Sequence, residues 1–447
     1  MSLRESNEYF KNKHLIFYIT EAVLIVLGVI VPMLSLAAFL ALVAYLLLFD
    51  ADDMFLIMLF LMPFACIFKS SASSSSFFTY AQLLLVIKLI LKKRAYSAGF
   101  LVSWLLLFVY IVAGSNLNIL SLIKQGIILP FVYLFFSETH IHPKKFVLNF
   151  SFGLILSSFI AQFNQYIPNM NNYIVNEKAF ELESKVARFS AFYSDPNYYS
   201  IALILALVGI LMLAARNHIK NSAVVYYLLI ALFGAQTTSK SFILMFAIIS
   251  VFFVFVLFKY KRYSTLLLAS IVFIAIIAVG FKDGGIFENT IDRFIMADKN
   301  TGILTNRDTI WVKYLEHFSS DGFVLFVGNG VDAEFLGGAA HNTYIDFLYY
   351  YGLFGTAIFA ITLFLSIKTS VNNRKRLLNY LPIACIMVNL FFVSSLYYYD
   401  FAYMLIVVAF LCKIDLNETE KEIPQALCRE SIVGHNTVSR FHKEISI

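Results

Sequence analysis

Two arginines and a histidine, each set in a polar stretch, are the residues of this chain best suited to chemistry. Arg188 opens Arg188-Phe189-Ser190 and is followed by Asp195-Pro196-Asn197; Arg307 precedes Trp311; His341 leads His341-Asn342-Thr343-Tyr344, after a Gly328-Asn329-Gly330 turn. A guanidinium presents five donors in a fixed fork that can grip phosphate oxygens, although a solvated or headgroup-snorkelling role competes with that reading at Arg188. An imidazole, with an ordinary pKa near 6.5, can be neutral and accept a proton close to neutral pH. Structural histidines are also common, so His341 has a packing alternative.

Other polar residues interrupt apolar sequence and need a reason. Asp195 before Pro196 suits a helix start, because Asp is a good N-cap and Pro fits the first helical position; capping therefore competes with binding at Asp195, with Asn197 close by. Thr237-Thr238-Ser239-Lys240-Ser241 breaks an apolar run from Val224 to Phe258, either as an anion-binding turn using Ser239 and Lys240 or as a plain hairpin tip. Lys124 and Gln125 are costly in lipid and must either pair with a buried partner such as Glu21 or line a wet cavity. After Arg307, the apolar Ile310, Trp311, Tyr314, Leu315 and Phe318 recur at helical spacing, which predicts an amphipathic helix on the membrane surface. A cation near a helix start opposes the macrodipole, an argument for an anionic partner at Arg307. Arg293 stands earlier in the same loop. No second His or Cys stands at ligand spacing, so no metal site is expected.

The elements that must carry these residues are membrane helices. Of 447 residues, 60% are hydrophobic and 14% charged, with mean hydropathy +0.78. A soluble domain has roughly 45–50% apolar and about 25% charged residues. Apolar stretches recur at 15–31, 33–49, 54–68, 77–91, 99–116, 118–137, 145–163, 198–215, 223–238, 242–260, 264–281, 353–369, 378–395 and 399–412. Crossing hydrocarbon takes roughly 20 residues. The third and fourth are short enough to form one re-entrant pair, so the expected fold is all-α, a polytopic membrane helical bundle of 12–14 transmembrane helices with two larger extracytoplasmic loops. Positive residues are retained on the cytoplasmic side. Counted span by span, Lys92-Lys93-Arg94, Lys144-Lys145, Arg216 with Lys220, Lys259-Tyr260-Lys261-Arg262, and Lys368 with Arg374-Lys375-Arg376 all fall on one face, which supports fourteen spans with both termini cytoplasmic.

The resulting division is N-terminal transmembrane helices over 1–163, a first extracytoplasmic loop over 164–197, central transmembrane helices over 198–281, a large extracytoplasmic loop with surface helices over 282–352, C-terminal transmembrane helices over 353–413, and a polar cytoplasmic tail over 414–447. The net charge of +6 is mostly topological and does not point to nucleic acid. The N-terminus reads as a signal-anchor rather than a cleaved signal peptide. Cys66, Cys385, Cys412 and Cys428 lie in or beyond spans and read as packing residues, not a disulfide framework.

Arg188-Phe189-Ser190 with Asp195-Pro196-Asn197, Thr238-Ser239-Lys240-Ser241, Arg307 before Trp311, Gly328-Asn329-Gly330, and His341-Asn342-Thr343-Tyr344 with Gly352 and Gly355 occur in an order and spacing that resemble the bacterial O-antigen polymerase and O-antigen ligase superfamily. The resemblance covers roughly residues 180–370, while the N-terminal third is similar only in topology. Lys240 departs from the pattern, since many members carry arginine there, and a point charge replaces a bidentate grip. The resemblance implies a metal-independent, inverting membrane glycosyltransferase without a cofactor, in the bacterial cytoplasmic (inner) membrane, with its active site on the extracytoplasmic side. Its substrates would be undecaprenyl-pyrophosphate-linked glycan donor and acceptor. Membrane lipid, a flippase and a chain-length regulator would be its partners. His341, Arg307 and Arg188 would be catalytic; Lys240, Ser239, Asp195, Asn197, Asn342, Tyr344 and Arg293 would bind substrate.

The residues agree with this on chemical grounds. Outside the cytoplasm there is no nucleotide supply, so an activated sugar must arrive with its leaving group attached to lipid. The arginines would neutralise pyrophosphate as it departs, and His341 would orient or deprotonate the attacking hydroxyl. A polymerase of O-antigen, capsular or exopolysaccharide repeat units is the expected member, with an O-antigen ligase acting on lipid A-core as the alternative. A transporter or flippase would show paired repeats and matching intramembrane helix breaks, and neither is legible in the sequence. A scaffold subunit with no chemistry of its own would tolerate loss of His341.

Overall fold

The computed structural model describes residues 3–93, 95–115, 119–173, 188–216, 222–264, 307–331, 333–336, 338–368, 377–394 and 400–416, with isolated positions between 266 and 274. All regular structure among them is helical. In chain order the helices are α1 (Leu3–Gly28), α2 (Pro32–Leu48), α3 (Ala51–Leu61), α4 (Phe77–Lys92), α5 (Ala98–Ala113), α6 (Ile119–Glu138), α7 (Pro143–Ala161), the short α8 (Met170–Tyr173), α9 (Pro196–Ala215), α10 (Ser222–Gln236), α11 (Lys240–Lys259), α12 (Arg307–Ser320), α13 (Gly322–Val327), α14 (Thr343–Ile367), α15 (Leu381–Leu390) and α16 (Phe401–Lys413). Of these, α7, α9, α11 and α14 are long and apolar enough to cross a membrane by length and composition, and several shorter apolar helices accompany them. The stretch at 264–281, Arg293 and the tail beyond 416 lie largely or wholly outside the described residues.

Polar caps start these helices where the apolar runs begin. Asp50 accepts from Asp53 N at 3.0 Å, Ser76 from Phe78 N at 3.2 Å, and Asp195 from Asn197 N at 2.5 Å, with Pro196 in the first turn of α9. Each cap satisfies an amide that the first turn leaves without a partner. Helix α9 carries no polar side chain after Ser200, so no face of it favours water. All of its residues except Asn197 and Tyr198 are buried, and it packs against α7, α10, α11, α15 and α16. Helix α3 is buried from Met54 to Leu61. On the outside, Leu40, Leu48, Leu91, Val251 and Phe255 are exposed, the surface expected of a protein whose solvent is hydrocarbon.

The bundle has two distinguishable ends. At one, Lys93 pairs with Glu138, Lys145 Nζ meets Asp53 Oδ1 at 3.2 Å, and Tyr260 donates to Ala215 O at 2.6 Å. Lys88 Nζ donates to the carbonyls of Leu46, Leu47 and Phe49, which α2 leaves open at its C-terminus. At the other end, one helix length along α9, stand Asp195 and the motifs around it.

Helix α14 is broken. Gly352, with φ 61° and ψ −174°, divides it into two helical pieces. The Gly328-Asn329-Gly330 turn fills the break: Asn329 N donates to Tyr349 O at 2.7 Å and Gly330 N to Tyr350 O at 3.1 Å, while the Tyr110 hydroxyl of α5 donates to Tyr351 O at 2.9 Å. A cavity of about 290 Å³ lies at this junction, lined by Tyr110, Gly114, Asn329, Val331 and Tyr350 among others. The residues before the break, Tyr349-Tyr350-Tyr351, precede the apolar stretch at 353–369, so the first half of this helix lies in what the sequence placed in the large loop.

Along α12, Leu315 is exposed while Tyr314 and Phe318 are buried. Of the two readings of Lys124, pairing with Glu21 is not met among the described residues. Lys124 is exposed and lies in the field of Lys69; Gln125 accepts from the Tyr351 hydroxyl at 2.8 Å; and the buried Glu21 carboxylate has no hydrogen-bond partner among the described residues.

Gly330 has φ 84°, and a Cβ there would stand 1.8 Å from Gly114 O. Gly330→Ala is therefore expected to destabilise the protein by well over the roughly 1 kcal/mol of a left-handed non-glycine residue. Gly322→Ala, where nothing lies within 4 Å, is expected to leave stability unchanged. Thermal unfolding of the two variants in detergent, followed by loss of the monodisperse elution peak, checks the contrast.

Candidate functional site

Three consecutive carbonyls gather the motifs. Helix α15 stops at Leu390, and the chain from 391 to 394 is not helical, although its apolar character placed it inside a span. Arg307 Nη1 donates to Phe392 O at 2.9 Å, the Thr343 hydroxyl donates to Val393 O at 2.6 Å, and the Tyr198 hydroxyl donates to Ser394 O. Three separate motifs, from α9, α12 and α14, are thus tied to one short segment. No sequence signal marks Phe392-Val393-Ser394 as that anchor.

Arg188 is held from a different direction. Its Nη2 donates to Asn197 Oδ1 at 3.1 Å and its Nε to Thr237 O at 3.3 Å. Asn197 Oδ1 also accepts from the Ser239 hydroxyl at 3.2 Å. Ser239 is buried; its hydroxyl lies 3.1 Å from that of Ser241, and Lys240 follows as the first residue of α11. Asn197 and Ser239 therefore act through Arg188, orienting the guanidinium. The 237–241 segment forms the tight turn between α10 and α11.

His341 sits between pinned neighbours. Trp311 Nε1 donates to Ala340 O at 2.7 Å, and Asn342 caps α14 by accepting from Tyr344 N at 3.0 Å and Ile345 N at 3.3 Å. The backbone on both sides is fixed while the imidazole reaches solvent at the rim. Desolvation by the surrounding walls and then the Arg307 charge hold its pKa below the ordinary 6.5, with Asp195 pulling the other way. A neutral imidazole is the form that can accept a proton. His341 thus feels both Arg307 and Asp195, the latter two residues from the Asn197 that holds Arg188.

Strain concentrates here as well. Five described non-glycine residues have positive φ, and three of them belong to these motifs: Ala191 (48°), Thr238 (50°) and His341 (48°). A β-branched threonine in this region is a true outlier, and such strain persists only where the surroundings hold it.

The predicted binding residues divide accordingly. Arg188, Asn197, Ser239, Lys240, Asp195, Arg307 and His341 come to one end of the bundle. Asn342 is buried as a helix cap, and the Tyr344 hydroxyl donates to Met387 O at 2.9 Å, so both serve the scaffold. His341 is not the only histidine of the large loop: His317 lies there too, its Nε2 3.2 Å from Asn329 Nδ2, at the turn that fills the α14 break. Among the described residues no group of three His, Cys, Asp or Glu side chains could hold a metal ion. No protein-family model, no curated protein and no solved structure matches the chain.

Since the Arg307 charge contributes to the low pKa of His341, Arg307→Ala is expected to raise that pKa toward 6.5, narrowing the range of acid pH over which the imidazole stays neutral. NMR titration of histidine-labelled protein in detergent, read against a His341→Gln control to assign the resonance, checks the direction.

Proposed function

We propose that this protein is a polymerase that joins undecaprenyl-pyrophosphate-linked oligosaccharide repeat units on the outer face of a bacterial cytoplasmic membrane. The observation that carries the reading is that two anchored guanidinium groups and a solvent-reachable imidazole lie at the same end of the bundle, opposite its basic loops. The finer topology belongs to the same proposal: fourteen spans, both termini cytoplasmic, and the site built from the two extracytoplasmic segments at 164–197 and 282–352.

In the proposed reaction His341 accepts the proton of an acceptor-sugar hydroxyl as that oxygen attacks the anomeric carbon of the donor. The bond from the anomeric carbon to the pyrophosphate oxygen breaks, the electron pair leaves with the pyrophosphate, and the carbon inverts in one displacement. Arg188 and Arg307 face the departing anion. Donors fixed in advance toward developing charge are the strongest contribution such a site can make. Their anchors, Asn197 Oδ1 and Phe392 O, set the direction of each guanidinium fork.

The break at Gly352 bears on the transporter alternative. In a transporter the unwound carbonyls coordinate an ion or substrate. Here Tyr349, Tyr350 and Tyr351 carbonyls already accept from Asn329, Gly330 and Tyr110, which supports a structural use of the break and favours the enzyme.

His341→Ala is expected to abolish chain extension while expression and membrane insertion persist, because loss of a general base costs roughly 10²–10⁴-fold. Arg307→Lys is expected to retain more activity than Arg307→Ala. Glycan length on gels of complemented cells reads both, and wild-type extension in the alanine variants would remove these residues from the reaction. A strain lacking the protein is expected to carry a single repeat on its acceptor. Long chains stranded on carrier lipid would instead establish the ligase, and normal glycan would end the proposal.

A further inference from the structure

The cavity of about 290 Å³ beside the break in α14 contains none of the three residues assigned to the reaction. Helix α5 starts at Ala98, shortly after the Lys93 that pairs with Glu138 at the basic end, and runs across to Ala113. Its C-terminus, and the cavity around it, therefore lie at the other end, with the motifs. The walls are fixed. Asn329 N on Tyr349 O and Gly330 N on Tyr350 O set one side, and the Tyr110 hydroxyl, bonded to Tyr351 O at 2.9 Å, holds an aromatic ring on the other. Ala113, Gly114 and Asn329 are exposed, so the cavity opens to the outside past them.

Its polar groups are of one kind, hydrogen-bonding and uncharged among the described residues that line it. A helix leaves its last carbonyls without intrahelical donors. At the end of α5, Gly114 N donates to Tyr110 O at 3.1 Å and Ser115 N to Val112 O at 3.3 Å, which leaves the carbonyls of Ile111 and Ala113, two lining residues, as the acceptors of that helix end. They carry the negative end of the helix dipole, which disfavours a phosphate and suits hydroxyl donors. Asn329 donates one amide N–H to His317 Nε2 at 3.2 Å, and an amide has a second N–H and an oxygen with which to meet a hydroxyl. The Tyr110 ring and the side chains of Ile111, Val327 and Val331 add apolar wall. A ligand with hydroxyls on its edge and C–H groups on its faces matches both features, and that is a sugar ring. An acyl or isoprenoid chain would leave the carbonyls and the amide unmatched. The volume stands near the lower bound of small-molecule sites, roughly 300 Å³, and suits a ligand of that small size.

We propose that this cavity is a subsite for one uncharged sugar ring of an oligosaccharide, away from the bond that reacts. The inference rests on the polymerase reading and adds to it where the remainder of a repeat unit is held. Helix α12 sets the spacing. Trp311 Nε1 donates to Ala340 O, next to His341, and His317, which holds Asn329, is six residues further along the same helix, about 9 Å at 1.5 Å per residue. Between them Tyr314 donates to Gly338 O at 3.0 Å and meets Tyr349 edge-on, with ring centroids 5.0 Å apart, so the two places keep a fixed separation. An extended oligosaccharide spans such a gap. Binding of a remote, non-reacting ring then serves to hold the reacting hydroxyl in place.

Saturation-transfer-difference NMR on purified full-length protein, in a detergent without a sugar headgroup, tests this with the methyl glycosides of glucose, galactose, mannose and N-acetylglucosamine as probes. Wild type is expected to transfer saturation to at least one of them, and His341→Ala to the same one. Asn329→Ala is expected to bind it roughly two- to tenfold more weakly, the effect of one lost hydrogen bond. Ala113→Trp, which fills the mouth from an exposed position, is expected to show no transfer, and Ala113→Ser to match wild type. Should Ala113→Trp not elute as wild type does, Asn329→Ala decides alone. Transfer to no probe by wild type, or transfer unchanged by these two variants, overturns the proposal. In complemented cells Ala113→Trp is expected to shorten the glycan. Full-length glycan there, beside a single repeat in the strain lacking the protein, overturns the subsite and leaves the polymerase in place; normal glycan in the strain lacking the protein ends the polymerase reading, and the binding result then judges the cavity by itself.

Discussion

Everything at the functional end depends on the carbonyls of Phe392, Val393 and Ser394, freed where α15 unwinds. A helix that stops short within a packed bundle leaves its last carbonyls open, and the buried ones must find other donors. Arg307, Thr343 and Tyr198 are those donors. The unwinding and the gathering of the motifs are one event: the backbone needs three hydrogen bonds, and three side chains from distant parts of the chain supply them. Each bond contributes only about 0.5–1.5 kcal/mol net, but leaving any carbonyl buried and unmatched costs more than that. Position follows from that asymmetry rather than from the strength of any single contact.

The break in α14 obeys the same constraint by a different means. There the donors are backbone amides of Asn329 and Gly330 and the hydroxyl of Tyr110, and glycine is required because the approach leaves no room for a side chain. Close backbone contact at Gly114 and Gly328-Gly330 ties α5, the large loop and α14 into one unit. His341 is backed separately, by Trp311 Nε1 on Ala340 O before it and by the Asn342 cap of α14 after it. Its exposure at the rim is then a property of fixed backbone on either side and not of local looseness.

Charge is arranged along the bundle with similar economy. At the far end Lys93 and Lys145 are matched with acids and Lys88 with carbonyls. At the motif end, Asn197 Oδ1 and Phe392 O hold Arg188 and Arg307 in orientation. His341 stands at this end, its pKa held below the ordinary value by desolvation and by the Arg307 charge.

The apolar runs, their polar caps and the basic clusters were legible in the sequence because each is a local property. A run of twenty apolar residues forms helix in any dry environment, and Asp before Pro starts one whatever surrounds it. Arg188, Arg307 and His341 stood out for the same reason, as polar residues that an apolar chain does not carry idly. What the sequence could not contain was the end of α15 at Leu390, the break at Gly352, the pairing of Gln125 with Tyr351 instead of Lys124 with Glu21, or the use of Asn342 and Tyr344 as scaffold. Those depend on which groups lie across a helix interface, and hydropathy is blind to hydrogen bonds between distant residues. By itself, then, the chain determined a helical membrane protein and the types of side chain available for chemistry; only the tertiary structure decided which of them meet, because the need to satisfy freed backbone carbonyls is settled by packing and not by composition.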